Sequence, residues 1–334
     1  PADDVDCDGI PTDDDCDDTD PAADYGVIVD EDCDGVLTAD DCDDTDPDVS
    51  EPEDCVTDGC GDADLPDTDS VVILTTDDAL DLCACPDLVV GNAYIQATAD
   101  EPIDLSCISE VTGSIEIDGT NAETVDLSGL TRVHGDLQIL DNLGMVSVDL
   151  SGLLQADGSL KVQYNNDLQS LDLSSLTVVD GMFEVYGNTD LETIDLRSLE
   201  EIKDSAYISS NSSLENLDLS SLVEVDDTFE FQHNESIEVF SAPSFEEVGE
   251  QLYLNNNYQL ESINLPALRQ VGGTVNINNN HDLETLNLDA LEDVNSYFEF
   301  RFNYKVERFS TPMLTHVGGV LQFEDNTDLL EISA

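Results

Sequence analysis

Basic residues are almost missing from this 334-residue chain, which has 8 Lys and Arg against 78 Asp and Glu and a formal net charge of −70. The first of them is Arg132, so residues 1–131 contain neither Lys nor Arg. Such a chain repels nucleic acid phosphates and anionic membranes and attracts cations. We therefore expect no nucleic acid partner, and we expect bound metal where the carboxylates are most crowded.

Long apolar runs are missing as well. No segment reaches the roughly 20 apolar residues that a membrane-spanning helix needs, and the sequence shows no signal-peptide pattern. Nine cysteines favour an oxidising compartment. We therefore expect no membrane span, and we interpret the chain as a mature, exported protein or a processed fragment of one.

The first 47 residues contain two copies of an aspartate-rich loop, DVDCDGIPTDDDCDDTDP at 4–21 and DEDCDGVLTADDCDDTDP at 30–47. Each begins D-x-D-x-D-G, the first half of a calcium loop that also uses a carbonyl at position seven and a carboxylate at position twelve. Hard oxygen ligands at this spacing suit Ca²⁺. The predicted ligands are Asp4, Asp6, Asp8, Ile10 through its carbonyl and Asp15, and then Asp30, Asp32, Asp34, Val36 through its carbonyl and Asp41.

The CDDTDP tail of each copy supplies further carboxylates, which either complete the loop or hold a second ion. They are Asp17, Asp18, Asp20, Asp43, Asp44 and Asp46. Because Asp at position twelve reaches less far than Glu, we expect a modest affinity, near the value of about 10⁻⁴–10⁻³ M that extracellular modules show.

These loops resemble thrombospondin type 3 repeats and the metal-binding repeats of bacterial surface proteins, and that resemblance implies an extracellular or bacterial cell-surface location. We place the acidic calcium-binding domain at 1–54 and an acidic, Cys-containing linker at 55–79. The aspartates around Pro66 either bind a further calcium ion or simply belong to this linker.

From residue 126 to residue 332 a 23-residue unit repeats nine times without insertion and places Asn at its seventeenth position. Apolar residues recur at positions 2, 5, 8, 12, 14, 20 and 23, and the alternation at 12 and 14 indicates a strand with positions 11, 13 and 15 outward. The pattern predicts a parallel β-solenoid whose Asn side chains form a ladder, bonding turn backbone in their own coil and the next.

Two weaker units, 80–103 and 104–125 with Asn121 as a ladder residue, extend the solenoid domain to 80–334. The predicted fold class is therefore all-β, a solenoid of about 23-residue coils preceded by an irregular calcium-bound loop domain. The motif L/V-x-G-x-L-x-I-x-x-N-x-x-L resembles the receptor L-domain and short leucine-rich-repeat group over residues 80–332. That resemblance implies a solenoid fold and an extracellular protein or carbohydrate partner.

An enzyme is a further alternative, because an acidic row on a solenoid sheet can supply an acid and a base for polysaccharide cleavage. The outward row at position 13 carries Glu184, Glu230 and Glu299. These residues fall on alternate or more distant coils, about 10 Å apart or more. We therefore predict a solvated sheet face and no enzyme, and a polysaccharide-active enzyme ranks third among the functions.

The function we predict first is a calcium-binding structural protein that assembles head to tail with copies of itself into a surface fibre or layer. Arg301, Lys305 and Arg308 lie close together in sequence near apolar residues of the last turn, Leu329, Leu330 and Ile332. The acidic N-terminal part of the chain, which contains the calcium loops and which we call the head, would dock against this region of a second copy. The alternatives are a chance basic cluster and, for the whole protein, an adhesin or receptor-like module.

Cysteine spacing predicts one disulfide in the solenoid. Cys85 and Cys107 are one coil apart, and adjacent coils hold their Cα atoms about 4.8 Å apart, inside the usual range of about 4.4–6.8 Å. In the head, Cys7–Cys16 with Cys33–Cys42 and Cys16–Cys33 with Cys7 bonded elsewhere remain alternatives. Cys55–Cys60 is a further candidate, and one of the nine cysteines is left over.

Overall fold

The computed structural model describes residues 70–73, 75–83, 88–98 and 100–333. The chain divides into two units, Pro1–Asp64 and Leu65–Ala334, and every described residue lies in the second unit. This unit is a parallel β-solenoid, which confirms the predicted fold class for the solenoid. None of the described helices has the length and apolar character to cross a membrane.

Each coil crosses three faces. The widest face is a sheet of 12 parallel strands, which we call the large sheet. Its strands, in spatial order, are Ser70–Ile73, Asn92–Ile95, Ile115–Asp118, Leu137–Leu140, Leu160–Gln163, Phe183–Tyr186, Ala206–Ser209, Phe229–Gln232, Leu252–Asn255, Val275–Asn278, Phe298–Arg301 and Leu321–Glu324.

The second sheet has 11 short parallel strands. They are Leu88–Val90, Ile108–Val111, Arg132–Val133, Gln155–Ala156, Val178–Val179, Glu201–Ile202, Glu224–Val225, Glu247–Val248, Gln270–Val271, Asp293–Val294 and His316–Val317.

The third face consists of three separate sheets of six, three and two strands. The first holds Ile103–Asp104, Thr124–Asp126, Ser147–Asp149, Ser170–Asp172, Thr193–Asp195 and Asn216–Asp218. The second holds Val239–Ser241, Ser262–Asn264 and Thr285–Asn287, and the third holds Arg308–Ser310 and Glu331–Ser333.

The predicted inward positions form one continuous core. In coils 1–9, which we number from residues 126–148 to residues 310–332, positions 12 and 14 are the inward positions of each strand of the large sheet, and the residue between them is half-exposed. Leu, Ile, Val and Phe at these positions are fully buried through coil 8. Because each inward row repeats at the strand spacing of about 4.8 Å, every coil packs against its two neighbours.

The Asn ladder is present, with a different direction from the one predicted. Asn188 illustrates it: its Oδ1 accepts from the backbone N–H of Asn165 at 2.9 Å, and its Nδ2 donates to the carbonyl of Val162 at 2.9 Å. Both partners belong to the preceding coil, so each side chain serves the coil before its own. The ladder residues Asn142 to Asn303 are fully buried, and these bonds satisfy backbone groups that water cannot reach.

The residue before each ladder Asn adopts a left-handed conformation. Its φ lies between 53° and 71° in all nine coils, and only Gly187 among these residues is a glycine. Non-glycine residues rarely adopt this conformation, which costs roughly 1–2 kcal/mol. The hydrogen bonds of the next coil's Asn on either side of this residue hold the turn in place.

One ladder position differs from the sequence prediction. Thr120, not Asn121, occupies it in the unit 104–125: Thr120 is fully buried, and its N–H donates to Asn142 Oδ1 at 2.9 Å. Asn121 is exposed. Counted from residue 104, Thr120 stands at position 17 and Asn121 at position 18, so only the residue type had favoured Asn121.

The large sheet begins earlier than the predicted solenoid domain, at strand Ser70–Ile73, which pairs with Asn92–Ile95. Helix α1, Thr76–Leu82, follows, and Thr75 caps its N-terminus in a capping box with Asp78. Ala79 of α1 is buried in the core. The described residues 70–73 and 75–82, which the sequence prediction divided between linker and first coil, therefore form the start of the solenoid.

The predicted disulfide partner of Cys107 is wrong. Cys107 is bonded to Cys83, with Cα atoms 5.4 Å apart, whereas Cys85 lies outside the described residues. The prediction assumed that Cys85 occupies a regular coil position. Cys83, the C-cap residue of α1, instead reaches the next coil, where its Sγ lies 3.7 Å from the carbonyl oxygen of Asp104.

The two breaks in the third face coincide with phenylalanine. The first break follows strand Asn216–Asp218, and the next strand carries Phe240 at its inward position 23. The second break follows strand Thr285–Asn287, and the next strand carries Phe309 at the same position. The other coils have Val, Leu or Ile there. The ring centroid of Phe240 lies 4.8 Å from that of Phe231, and that of Phe309 lies 5.3 Å from that of Phe300. We attribute each break to the added volume of these rings, since close-packed cores respond to small changes in volume.

Candidate binding face on the large sheet

The predicted calcium ligands, from Asp4 to Asp46, all lie outside the described residues, as do the six cysteines of the first 60 residues. Calcium binding through them stays a prediction.

The three basic residues predicted as a docking point are not brought together on one face. Arg301 ends a strand of the large sheet and bonds Gln322 at 2.7 Å and Glu299 at 3.2 Å. Lys305 Nζ lies 2.8 Å from Asp282. Arg308 begins a strand of the third face and lies 3.0 Å from Glu331. Each charge is thus paired within the chain.

The apolar residues of the same prediction differ in exposure. Leu329 is partly buried against the core, while Leu330 is 84% exposed and Ile332 is 52% exposed. In coil 9 the inward residues Leu321 and Phe323 are also only partly buried. The last described coil therefore presents an apolar surface along the solenoid axis.

The outward carboxylates of the large sheet are separated as expected. Glu184 pairs in register with Tyr207, which pairs with Glu230, so the two glutamates are two strands, or about 9.6 Å, apart. Glu299 lies three strands beyond Glu230. No adjacent pair of glutamates is formed along this row in the described coils.

A cavity of about 580 Å³ opens between the large sheet and the turns that carry the ladder, and we call it the notch. Three successive coils line it. Coil 3 contributes Tyr186 and Thr189, coil 4 contributes Ser209, Ser210 and Ser212, and coil 5 contributes Glu230, Gln232, His233 and Glu235.

Side-chain size explains the notch. Coil 4 has serine at positions 15, 16 and 18, whereas coil 3 has Tyr186 at position 15 and coil 5 has His233 at position 16. Since the coils stack in register, a small residue between two larger ones leaves a depression. The Tyr186 ring is supported from behind by Tyr164, whose centroid lies 5.4 Å away in an edge-to-face contact.

The notch is polar and has no cation. Ser209 is 5% exposed, and its hydroxyl donates to Glu230 Oε1 at 3.3 Å. None of the described residues that line it is Lys or Arg. Glu230 and Glu235 therefore give the notch a negative potential, which disfavours anionic ligands.

A second acidic group lies on the second sheet. Carboxylate oxygens of Glu201, Glu224 and Asp226 lie within 4.8 Å of one another. Burial raises the pKa of Glu224, and the nearby charges of Asp226, Glu247 and Glu201 raise it further. Three such groups could hold a cation, but Ca²⁺ takes six to eight oxygen ligands, so this row alone fits it poorly.

The break in the third face leaves a groove of about 1100 Å³ beside strands Asn216–Asp218 and Val239–Ser241. Its lining includes Asp195, Asp218 and Glu238. The large sheet holds the same two coils in continuous register, so the break is confined to the third face.

Sequence reasoning identified the outward row but missed the notch. The signal was available as Ser209, Ser210 and Ser212 in one coil beside Tyr186, but it is visible only when neighbouring coils are compared position by position.

No protein-family model matches the chain, and no curated protein matches it in sequence. Among solved structures, the chain is similar to a leucine-rich repeat protein from Bacteroides ovatus, with 15% identity over 73% of this chain and 83% of that one and a TM-score of 0.20. The solenoid assignment rests on the coils described above and not on this similarity.

Proposed function

We propose that the chain is an extracellular, calcium-binding surface protein whose solenoid is a rigid binding module of the adhesin or receptor type, with the outward face of the large sheet as its binding face. The observation that carries this proposal is the notch, a polar cavity on an otherwise regular sheet. Half-buried Tyr207 and Tyr253 lie on the same face, and tyrosine is enriched at binding surfaces. The disulfide of Cys83 with Cys107 supports an oxidising location.

A binding experiment tests this function without assuming the ligand. Beads coated with the full chain are tested for retention on bacterial cells, on polysaccharide and on extracellular matrix protein. We expect the double variant Tyr207→Ser, Tyr253→Ser to lose most of the retention, and the third-face double variant Ser147→Ala, Ser170→Ala to keep it. Equal retention of both variants would remove the large sheet as the binding face.

End-to-end assembly is a second candidate, favoured by exposed Leu330 and Ile332 on the last described coil. Fully covering such a side chain contributes roughly 1.5–3 kcal/mol. Little unpaired positive charge remains to steer an acidic partner, because ion pairs within the chain already neutralise Arg301, Lys305 and Arg308. Burial of the apolar surface would therefore supply most of the affinity between two copies.

Electron microscopy in millimolar calcium tests assembly by comparing the wild type with two variants. The first variant combines Leu330→Glu and Ile332→Glu, and the second combines Arg301→Glu, Lys305→Glu and Arg308→Glu. Assembly predicts filaments in the wild type that the first variant abolishes. Shorter filaments in the second variant would support the predicted docking point. Monodisperse rods in every sample would exclude assembly under these conditions.

A further inference from the structure

We infer that the notch binds one neutral sugar unit of an oligosaccharide, with the Tyr186 ring as one wall and the serine hydroxyls and Glu230 as the other. The inference rests on the proposed binding function and names its ligand class. The volume of about 580 Å³ lies in the range of roughly 300–1,000 Å³ that small-molecule sites occupy.

The lining chemistry favours a polyol over a protein side chain. Hot-spot side chains of protein partners fill well-packed, desolvated pockets. Here the lining is hydroxyl, amide, imidazole and carboxylate, with one aromatic ring. A pyranose presents hydroxyl groups around its rim, and each of them both donates and accepts hydrogen bonds.

Charge decides which sugars fit. Glu230 and Glu235 are acceptors only, so they suit the O–H groups of a neutral sugar and repel the carboxylate of a uronic acid or a sulfate ester. All Lys and Arg of the chain are described, and none lines the notch. Anionic polysaccharides are therefore excluded from this site.

The aromatic wall gives the sugar an apolar surface. The C–H face of a pyranose packs against an aromatic ring, which offers a large apolar area at a small cost in side-chain entropy. The edge-to-face contact with Tyr164 restrains the Tyr186 ring, so this wall of the notch is preorganised for binding.

The floor of the notch is equally rigid. Ser209 is buried in the large sheet, Ser210 has a φ of 62°, and the next residue is the fully buried ladder residue Asn211. Asn234 bonds the backbone on either side of this turn: its Oδ1 accepts from the N–H of Asn211 at 3.1 Å, and its Nδ2 donates to the carbonyl of Ile208 at 2.8 Å. A preorganised site avoids the entropic cost of ordering its side chains on binding.

Filling the notch tests the inference, and the repeat supplies a matched control. Ser212 stands at position 18, where coils 6 and 8 carry Tyr258 and Tyr304, so the turn accepts tyrosine. Ser212→Tyr places a ring at the mouth of the notch. Leu143→Tyr makes the same substitution at position 18 of coil 1, where Leu143 is 67% exposed and lies outside the notch.

The full chain is screened against arrayed oligosaccharides of glucose, galactose, mannose and N-acetylglucosamine, with oligomers of glucuronic and galacturonic acid as charged counterparts. The best neutral ligand is then titrated calorimetrically. We expect neutral oligosaccharides alone to bind, Ser212→Tyr and Tyr186→Ala to weaken binding about ten-fold or more, and Leu143→Tyr to bind as the wild type does. Matching thermal unfolding curves for the two tyrosine variants exclude a folding defect.

Two results would overturn the inference: no neutral sugar binding by the wild type, or unchanged binding by Ser212→Tyr. Bead retention separates this failure from that of the proposed function. If Tyr207→Ser, Tyr253→Ser abolishes retention while no sugar binds, the large sheet is a binding face for another partner and the sugar assignment alone is wrong.

Discussion

A single ladder side chain connects two coils through several hydrogen bonds. Asn211 Oδ1 accepts from the backbone N–H of Asn188 at 3.1 Å, and Asn211 Nδ2 donates to the carbonyl of Val185 at 3.0 Å. Asn211 is fully buried. No water can replace these bonds, so the ladder contributes to stability mainly by preventing unpaired backbone groups.

Asn211→Ala should therefore be strongly destabilising. It leaves one buried N–H and one buried carbonyl without their side-chain partner, at about 1–3 kcal/mol each. Urea unfolding of the variant should show a loss of roughly 2–5 kcal/mol. Asn166→Ala, which changes an exposed asparagine two coils earlier, is the control and should change stability by less than about 0.5 kcal/mol. Similar losses in both variants would show that burial of the ladder is unimportant.

A pair of buried threonines provides a second test at this scale. Thr311 is fully buried, and among the described residues its Oγ1 has no hydrogen-bond partner. Thr120 is equally buried, but its Oγ1 lies 3.2 Å from the carbonyl of Ala97 and accepts from the N–H of Ala122 at 3.2 Å.

Thr311→Val should stabilise the solenoid by about 1 kcal/mol, because it removes an unpaired hydroxyl and keeps the volume. Thr120→Val should instead destabilise it by about 1–3 kcal/mol, because it leaves the N–H of Ala122 without this acceptor. Differential scanning calorimetry gives both values. A loss of stability in Thr311→Val would mean that its hydroxyl has a partner such as a buried water.

The ladder was predictable because its asparagines repeat without exception, whereas Thr120 was not. The ladder is recognised in the sequence because asparagine recurs at one position of each coil. Thr120 occupies that position without being asparagine, and the neighbouring Asn121 is asparagine without occupying it. The separation of the predicted docking residues was missed for a related reason. Arg301 and Arg308 are close in sequence, but positions 15 and 22 of a coil belong to different faces.

At the scale of single elements, α1 replaces part of a coil at the start of the described solenoid and is attached to the next coil by the Cys83–Cys107 disulfide. The 23-residue repeat predicts the regular coils well, because apolar residues recur at the same inward positions from coil to coil. They do not predict α1, because its Thr75 and Asp78 capping box occurs once in a region where the apolar period is lost. The Phe240 and Phe309 breaks were likewise not predicted, because both residues keep the apolar pattern and differ only in volume.

Cys107→Ser should loosen α1 more than the rest of the solenoid. The disulfide closes a loop with a sequence separation of 24, for which the chain-entropy model gives about 3 kcal/mol. Hydrogen exchange should show faster exchange of the α1 amides and unchanged protection in coils 4–7. Cys85→Ser is the matched control and should leave α1 protected, because Cys107 pairs with Cys83. Recovery of a Cys85–Cys107 peptide after proteolysis would contradict the observed pairing.

At the scale of the whole molecule, the excess of negative charge makes stability depend on pH. Burial and neighbouring carboxylates raise the pKa of Glu224 in the folded state. The folded protein then binds a proton more tightly than the unfolded chain does, so stability falls as the pH rises from the usual glutamate pKa through the raised value.

Glu224→Gln should therefore stabilise the solenoid at pH 7 by less than about 1 kcal/mol, a limit set by solvent screening at exposed sites. The gain should disappear at a pH below the usual glutamate pKa. Unfolding curves across this range, with the exposed Glu192→Gln as the control, measure the difference. A gain that is constant with pH would exclude the charge as its cause.

Calcium is expected to act on the acidic head and not on the solenoid. Bound ions would offset repulsion among the carboxylates of residues 1–69, while the solenoid core is built from apolar side chains and the Asn ladder. Chelation should make the head sensitive to protease and leave the β-sheet circular dichroism largely intact. The variant Asp8→Ala, Asp34→Ala should reproduce this effect in calcium. Protection of the head in excess chelator would refute the predicted calcium loops.

Because each ladder asparagine bonds the backbone of the preceding coil, a coil that has just formed still lacks the bonds that its successor supplies. Because each coil packs only against its neighbours, folding can nucleate in any coil and propagate coil by coil, and each coil added toward the C-terminus supplies the asparagine bonds that its predecessor lacks. A chain that emerges N-terminus first from a ribosome or an export pore can add coils as they appear, without waiting for distant segments. Its long-range contacts join residues about one coil apart, so a new coil needs only the coil before it to pack against.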